Sequence, residues 1–212
     1  MKDADIHPVV AALKKKVKTL KVPVVGVFAE SRDPFIVLVS CILSLRTRDA
    51  VTYAASERLF ALADTPQKLA ELPVAKIQKA IYPVSFFRVK ARSLKKMCSM
   101  FTEVPDTMEG LLALPGVGRK TANLTLTLGH RKPGICVDIH VHRTSNRLGY
   151  IKTKEPDESE MALRAKLPKK YWMIYNDLLV PYGQFVCTPI SPKCSECVIS
   201  RWCARKGVTT SR

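Results

Sequence analysis

The apolar positions of the chain fall into stretches of helical length that are separated by proline or glycine. Asp33-Pro34 and Thr65-Pro66 each combine a capping residue with a proline at the first helical position, so both pairs predict helix starts. The segment Asp157–Leu167 has acids at its beginning and bases near its end, which favours a helix. The separating prolines are Pro23, Pro34, Pro66, Pro73, Pro83, Pro105, Pro115, Pro133, Pro156, Pro168 and Pro181.

Two segments have patterns that differ from those of an ordinary amphipathic helix. Leu124–Leu128 alternates leucine with threonine, which is the pattern of a strand, and the local sequence alone leaves its structure open. The longest nearly apolar run, Phe35–Leu45, has 11 residues and includes Ser40 and Ser44. Because a membrane span needs about 20 apolar residues, we expect this run to be no membrane helix.

The chain has 212 residues, of which 47% are apolar, and it contains no low-complexity tract. This composition predicts a folded protein of one or two domains rather than a disordered one. The N-terminus includes Asp3 and Asp5 and lacks the apolar segment and cleavage-like site of a secretory signal. With neither a secretory nor a transit signal in view, we expect an intracellular protein.

Charge gives the first indication of a partner. The 35 Lys+Arg residues exceed the 18 Asp+Glu residues, for a net charge of +17. A lysine-rich stretch such as Leu13–Lys18 can be no more than a solvated helix face. The segments Leu72–Thr102 and Leu111–Val137, however, contain basic residues and no acid. Segregation of charge on this scale favours binding to a polyanion such as nucleic acid.

The seven cysteines form two groups. Cys41, Cys98 and Cys136 stand alone among apolar neighbours, which is typical of small buried side chains. Two disulfides among the other four are disfavoured without a secretory signal, and a zinc site usually has two short ligand pairs where this chain has one. Their spacing favours an iron–sulfur cluster, although the ferredoxin spacings do not match. These four follow the pattern Cys187-x6-Cys194-x2-Cys197-x5-Cys203.

The segment Leu114–Thr121 contains a Gly-x-Gly turn that leads into a helix start. Such a turn can present backbone N–H groups to a phosphate. It is not a nucleotide-binding P-loop, because Ala113 stands where the first glycine is required and Gly118 is followed by Arg119. The dinucleotide fingerprint is excluded because no third glycine follows at the required spacing. The interpretation that remains is a hairpin that binds the nucleic-acid backbone.

Three motifs together resemble the endonuclease III branch of the helix-hairpin-helix DNA glycosylases. They are LPGVGRKTA (Leu114–Ala122), VDIH (Val137–His140) and the spacing of the last four cysteines, and they occur in the order and at the separations of that family. The resemblance extends from about Val22 to Cys203.

The resemblance implies an all-α fold of two domains with a DNA groove between them. One is a six-helix barrel at 23–133, with the helix-hairpin-helix at about 108–130. The other is a helical domain made of 1–22 and 134–212, with the 4Fe-4S cluster loop at 187–203. The segment Leu124–Leu128 would then be helical, against its local pattern.

The resemblance also implies the roles of individual residues. Lys120 corresponds to the amine that attacks the sugar C1′ and forms a Schiff base, and Asp138 to the carboxylate that stabilises the positive charge developing there. Taken singly, these would be an exposed lysine and an N-capping aspartate; their joint placement favours catalysis. Cys187, Cys194, Cys197 and Cys203 would ligate the 4Fe-4S cluster, and the family admits a monovalent cation at the hairpin. The expected DNA contacts are Gly116, Val117, Gly118, Arg119, Thr121, Arg46, Phe86, Lys90, His140 and Lys193.

Three positions depart from the family pattern. Arg46 stands where a glutamine commonly fills the gap left by the extruded base, and its donor-only side chain would change which opposite base is favoured. Phe86 falls at the wedge position, usually leucine, where its ring could stack between bases; a buried core phenylalanine is the alternative. Lys193 is the one basic residue between Cys187 and Cys194, so we expect this loop to grip phosphate more weakly.

We therefore expect a bifunctional DNA glycosylase and abasic-site lyase of base excision repair that removes oxidised or ring-saturated pyrimidines and cuts the strand by β-elimination. The alternatives are a monofunctional glycosylase acting on mismatched bases, a non-catalytic DNA-binding iron–sulfur protein and an electron-transfer protein. The expected partner is duplex DNA with damaged bases or abasic sites, bound by a monomer in the cytoplasm of a prokaryote, at the nucleoid and away from the membrane.

Overall fold

Every regular element in the computed structural model, which describes residues 1–20, 28 and 33–212, is helical. This confirms the predicted all-α fold. The separator predicted at Pro23 lies outside the described residues. The α-helices are α1 (Ile6–Val17), α2 (Pro34–Ser44), α3 (Asp49–Phe60), α4 (Pro66–Glu71), α5 (Val74–Ile81), α6 (Phe87–Cys98), α7 (Met108–Leu112), α8 (Arg119–Leu124), α9 (Ile139–Leu148), α10 (Pro156–Lys166) and α11 (Trp172–Phe185). Short 3-10 helices lie at Asp3–Asp5, Lys169–Tyr171 and Ser200–Trp202, and a π-helix lies at Thr125–Gly129.

The chain folds as two compact units, each with its own hydrophobic core. One comprises Met1–Val22 and Pro133–Arg212, and we call it the terminal unit. The other comprises Pro23–Lys132, and we call it the hairpin unit. None of the described helices is long and apolar enough to cross a bilayer.

The longest apolar run becomes α2, the central helix of the hairpin unit. The Asp33 carboxylate accepts a hydrogen bond from the amide of Phe35 at 2.8 Å, and Pro34 occupies the first turn, as the sequence predicts. Nearly every side chain of α2 is buried, which suits a helix that is apolar on all sides. Its two serines donate to carbonyls of their own helix, Ser40 to Val37 at 3.0 Å and Ser44 to Cys41 at 2.7 Å.

The Leu124–Leu128 segment is helical, as the resemblance implies and against the alternating pattern. The hydroxyls of Thr125 and Thr127 donate to the carbonyls of Thr121 and Asn123 at 2.9 and 2.8 Å, so both threonines are buried without an unpaired hydroxyl. The helix widens here, because the amide of His130 bonds to the carbonyl of Thr125, five residues earlier.

The π-helix lies close against the start of α2. A Cβ added at Gly129 would lie 2.7 Å from Cα of Pro34, a distance that no side chain can accept. Glycine is therefore required at this position by packing.

The terminal unit is built around α11, which packs against α1 and α9. The sequence predicted a separator at Pro181, and this is wrong, because Pro181 lies inside α11 and is buried. A proline costs a helix one backbone donor, but burial of the apolar residues around Pro181 offsets that loss. The predicted helix at Asp157–Leu167 is confirmed as α10.

Two simpler predictions also hold. Lys14 and Lys15 of α1 are exposed, while Leu13 is buried, so the lysine-rich stretch is a solvated face. The three solitary cysteines are buried. Burial raises the pKa of Cys41 and of Cys98 to about 12, which keeps these thiols protonated.

Candidate functional site

The hairpin connects α7 to α8 in the hairpin unit. The Thr107 hydroxyl caps α7 by accepting a hydrogen bond from the amide of Gly110 at 3.1 Å. The amide of Val117 donates to the carbonyl of Leu114 at 3.2 Å and closes the turn. Gly116 has φ +84°, which a residue with a Cβ adopts only under strain. Glycine at this position is thus required by the turn itself.

At position 118, neither the backbone conformation nor the packing requires a glycine. Its backbone is extended, with φ −98° and ψ 174°, and a Cβ built there would meet no atom within 4 Å in the described chain. Gly118 is exposed, as is Gly116, and Arg119 beside it is half-buried. A residue without a side chain here leaves room for a partner outside the chain to approach the backbone.

Lys120 is the second residue of α8 and is exposed. Val117 and Thr121, two predicted DNA contacts on either side of it, are instead 8% and 2% exposed. Val117 belongs to the hydrophobic core and its amide is used in the turn, while Thr121 lies on the face of α8 that is buried against α2. A DNA contact at either residue stays a prediction. The monovalent cation expected at the hairpin stays a prediction.

Asp138 lies in the terminal unit, at the N-cap of α9. One carboxylate oxygen accepts hydrogen bonds from the amides of His140 and Val141, at 2.8 and 2.9 Å, and the side chain is 7% exposed. The two amides fix the orientation of the carboxylate, and the helix N-terminus favours its negative charge. The capping role that the sequence also suggested is therefore present.

His140 follows on the first turn of α9 and is half-buried. Its Nδ1 lies 3.1 Å from Nη2 of Arg143, and a Cβ added at Gly183 of α11 would meet the His140 Cβ at 2.8 Å. The imidazole is thus held by a neighbouring arginine and by close packing on α11.

The four clustered cysteines line one pocket of the terminal unit. The Tyr182 hydroxyl donates to Sγ of Cys197 at 3.1 Å, and the amide of Arg205 donates to Sγ of Cys203 at 3.4 Å. Burial raises the pKa of Cys197 and Cys203 above the ordinary thiol value, and these two hydrogen bonds act in the opposite direction. In the described residues, no set of three or more His, Cys, Asp or Glu side chains is arranged around one metal ion.

This donor set fits an iron–sulfur cluster. Four thiols around one pocket are the ligands that a 4Fe-4S cluster requires, and hydrogen bonds to the ligand sulfurs are the usual surroundings of such clusters. Cys187, Cys194, Cys197 and Cys203 would hold the cluster, which would then crosslink this loop-rich segment.

Arg143 and Arg147 of α9 are important residues that the sequence reasoning missed. Arg143 donates to the carbonyls of Gly183 and Cys187 at 2.9 and 3.0 Å. Arg147, one turn later, donates to the Thr188 carbonyl at 2.6 Å and lies 3.7 Å from Sγ of Cys187. The signal in the sequence was that Arg143 and Arg147 follow Asp138 and are four positions apart, which places them on one face of a helix.

Lys193 lies in the same loop. It is half-buried, lines the cysteine pocket, and its amide donates to the carbonyl of Val186 at 3.0 Å. The backbone of this predicted DNA contact therefore helps to shape the cysteine loop.

Arg46 and Phe86 lie together on the hairpin unit. The guanidinium carbon of Arg46 is 5.3 Å from the centroid of the Phe86 ring, a cation–π distance. Phe86 is 59% exposed, so the alternative of a buried core phenylalanine is wrong; Phe87 packs against the core instead. Both partners have positive φ, 57° for Arg46 and 59° for Phe86.

Lys90, a further predicted DNA contact, is buried against the backbone of its own chain. It is 8% exposed, and its ammonium donates to the carbonyls of Leu43 and Leu45 at 2.9 and 2.7 Å. The ammonium caps the end of α2 because the last carbonyls of a helix lack partners within it. Desolvation lowers the pKa of Lys90 to about 8.

Comparisons with known proteins agree with this arrangement. A family model described as HhH-GPD superfamily base excision DNA repair protein matches residues 39–169, and one described as the iron–sulfur binding domain of endonuclease III matches 187–203. Endonuclease III of Thermotoga maritima is 44% identical over 176 residues, which cover 81% of this chain and 83% of the relative.

Two solved structures have the same fold. A non-covalent endonuclease III–DNA complex matches with a TM-score of 0.85 and 30% identity, covering 97% of this chain and 96% of that one. A trapped endonuclease III–DNA covalent intermediate matches with a TM-score of 0.84 and 29% identity, covering 97% of each chain. The chain thus has a 4Fe-4S cluster domain at 187–203, the segment that contains the four cysteines, and it belongs to the endonuclease III family of HhH-GPD base excision repair DNA glycosylases.

Proposed function

We propose that the protein is a bifunctional DNA glycosylase and abasic-site lyase that acts as a monomer on duplex DNA and removes oxidised or ring-saturated pyrimidines. The observation that carries the proposal is the placement of Lys120, an exposed amine on the first turn of the helix that follows the hairpin, in a chain of this family. The DNA-bound relatives support DNA as the partner. The relative from Thermotoga maritima supports a prokaryotic source, where the substrate would be nucleoid DNA.

In the proposed reaction the unprotonated amine of Lys120 attacks C1′ of the damaged nucleotide. The glycosidic bond breaks, its electron pair leaves on the base, and the base takes up a proton. The lysine nitrogen loses a proton, the C1′–O4′ bond breaks as O4′ takes up a proton, and a protonated Schiff base between the lysine nitrogen and C1′ is left. Removal of a proton from C2′ then expels the 3′ phosphate by β-elimination.

We assign further tasks to two groups, one in each unit. Asp138 would stabilise the positive charge that develops at the sugar, a task suited to a carboxylate whose orientation is fixed by two amides. The hairpin would hold a backbone phosphate, because Gly118 leaves its backbone open to a partner at the start of α8. Removal of the base also requires that the nucleotide leave the helical stack, which costs less at a lesion.

Borohydride trapping tests the proposal. The protein is incubated with duplex DNA containing an abasic site or thymine glycol, borohydride is added, and the covalent adduct is measured on a denaturing gel. The wild type should form the adduct and Lys120→Ala should not.

Lys68→Ala is the matched control, since Lys68 is an exposed lysine that pairs with Asp64 on the hairpin unit. It should form the adduct like the wild type. If the wild type excises the base without forming an adduct, the protein is a monofunctional glycosylase and the lyase proposal is wrong.

A further inference from the structure

The Arg46–Phe86 pair is held in an unfavourable backbone conformation at both of its members. Residues with a Cβ rarely adopt positive φ, and here two such residues, from separate loops, do so and meet at 5.3 Å. Arg46 is exposed, and more than half of the Phe86 surface is exposed, so burial of these two side chains does not explain their conformation. Contacts below these two side chains must therefore fix the backbone conformation of both loops.

The buried ammonium of Lys90 lies beneath the loop that carries Arg46. It donates to the carbonyl of Leu45, directly before Arg46, at 2.7 Å, and contacts Oγ1 of Thr47, directly after it, at 3.4 Å. A third contact, to the Leu43 carbonyl at 2.9 Å, uses the last of its three protons. The residues on both sides of Arg46 are therefore bound to one side chain.

The same network extends to the loop that carries Phe86. The hydroxyl of Thr47 accepts a hydrogen bond from the amide of Ser85, directly before Phe86, at 3.2 Å. The amide of Lys90 donates to the carbonyl of Phe86 at 3.0 Å. Lys90 and Thr47 together thus connect the two loops at the positions next to both exposed side chains.

We infer that Lys90 is a positioning residue for DNA recognition, which fixes Arg46 over Phe86 so that the pair can enter the DNA beside the extruded nucleotide. The inference rests on the proposed function and on the predicted contacts of Arg46 and Phe86 with DNA. Lys90 itself touches no DNA in this arrangement, because its ammonium is enclosed by three acceptors of its own chain.

The chain offers a matched control on the same helix. Lys95 of α6 donates to the carbonyls of Ala70 and Leu72 at 2.6 and 2.8 Å, so it caps the end of α4 as Lys90 caps the end of α2. Lys90→Met and Lys95→Met each remove one lysine cap, but Lys90→Met alone removes the connection to Arg46 and Phe86.

A double-mutant cycle tests the inference. kcat/KM for excision of thymine glycol is measured for each variant in the wild-type background and in the Arg46→Ala/Phe86→Ala background. Borohydride trapping on a duplex with a preformed abasic site measures the active fraction, which corrects for loss of folded protein. Lys90→Met should lower kcat/KM about tenfold in the wild-type background, as loss of a charge-assisted hydrogen bond often does, and by much less in the double-alanine background.

Lys95→Met should have a small effect that is equal in both backgrounds. Thr47→Val, which removes the shared hydroxyl with little change of shape, should reproduce the pattern of Lys90→Met and serves if that variant folds poorly. Equal losses for Lys90→Met in both backgrounds, or a loss no larger than that of Lys95→Met, would overturn the inference. Failure of the proposed lyase function would be distinguishable from these two outcomes, because the wild type itself would then form no adduct.

Discussion

Lysine has two opposite uses in this protein. Lys120 is exposed on the first turn of α8, while the buried Lys90 and the half-buried Lys95 donate to carbonyls at the ends of α2 and α4. Burying an ammonium costs free energy, which hydrogen bonds to otherwise unpaired carbonyls offset only in part. A buried cap of this kind should therefore make stability depend on pH.

The pKa of Lys90 determines whether stability rises or falls with pH. Its pKa is lowered from 10.5 to about 8 by desolvation, so below pH 8 the ammonium is charged in both the folded and the unfolded chain. Between pH 8 and pH 10.5 the unfolded chain holds the proton and the folded chain does not, and the wild type should gain stability as pH rises. Relative to Lys90→Met, we expect a gain of roughly 1–2 kcal/mol across this range, measured by urea unfolding at a series of pH values. A difference between the two proteins that stays constant from pH 7 to pH 10 would contradict this assignment.

The sequence could not separate these lysines. Seven basic residues lie between Leu72 and Thr102, and the pattern assigns them all to a polyanion, yet two of them cap helices. Which lysine reaches a free carbonyl depends on where a distant helix ends, and Lys90 and Leu43 are 47 positions apart. By contrast, Gly118 and Asp138 could be proposed from the sequence, because their local motifs already contain the geometry that the proposed roles would use.

For the helices, the sequence predicted the capped starts. It did not predict the interactions that allow threonine or proline to be buried inside a helix. The starts of α2 and α4 follow from Asp33-Pro34 and Thr65-Pro66, because those residues act within one turn. The Leu124–Leu128 segment imitates a strand because leucine alternates with threonine, and only hydrogen bonds from threonine to the preceding turn allow the threonines to be buried in a helix. The place of Pro181 inside α11 likewise depends on tertiary packing, which no local signal reports.

Two glycines of the helix-hairpin-helix segment should respond in opposite ways to substitution. Gly118→Ser should leave the unfolding free energy within about 0.5 kcal/mol, because serine caps helices well and the space is open, but it should weaken DNA binding. Gly129→Ala should cost about 1–3 kcal/mol of stability, because its Cβ would overlap Pro34. Thermal unfolding and fluorescence anisotropy with a labelled duplex measure the two effects; weak binding by both variants at equal folded fraction would argue against a special role for Gly118.

The two buried tyrosines of α11 allow a test of the cysteine pocket. The hydroxyl of Tyr182 donates to Sγ of Cys197, whereas that of Tyr175 lies 3.2 Å from the Ser145 hydroxyl. Tyr182→Phe removes a donor that favours the thiolate form of Cys197, a predicted cluster ligand, so the cluster should be lost several times faster on exposure to a chelator. Tyr175→Phe removes a hydroxyl of equal burial without touching the pocket and should behave like the wild type. The decay of the visible iron–sulfur absorbance measures both rates, and equal rates would show that the hydrogen bond is unimportant for retention.

For the whole molecule, the net charge of +17 overstates the charge that can meet DNA. DNA affinity falls with salt in proportion to the number of phosphates that are neutralised, and a cation already surrounded by the protein's own carbonyls contributes little to that number. Lys95 is such a cation, because it donates to carbonyls at the end of α4, whereas Arg119 lies next to Gly118, where we propose that the hairpin holds a phosphate.

These two cations should therefore differ in the salt dependence of binding. For Arg119→Gln we expect the slope of log affinity against log salt concentration to decrease by about 1 in magnitude, whereas Lys95→Gln should keep the wild-type slope even if its stability is lower. The measurement is a titration of an undamaged duplex at several salt concentrations, since binding that ignores lesions depends mainly on phosphate contacts. Equal slopes for Arg119→Gln and the wild type would mean that the hairpin makes no charged contact with the backbone. A reduced slope for Lys95→Gln would mean that the field of the whole molecule, rather than individual cations, determines how strongly DNA is held.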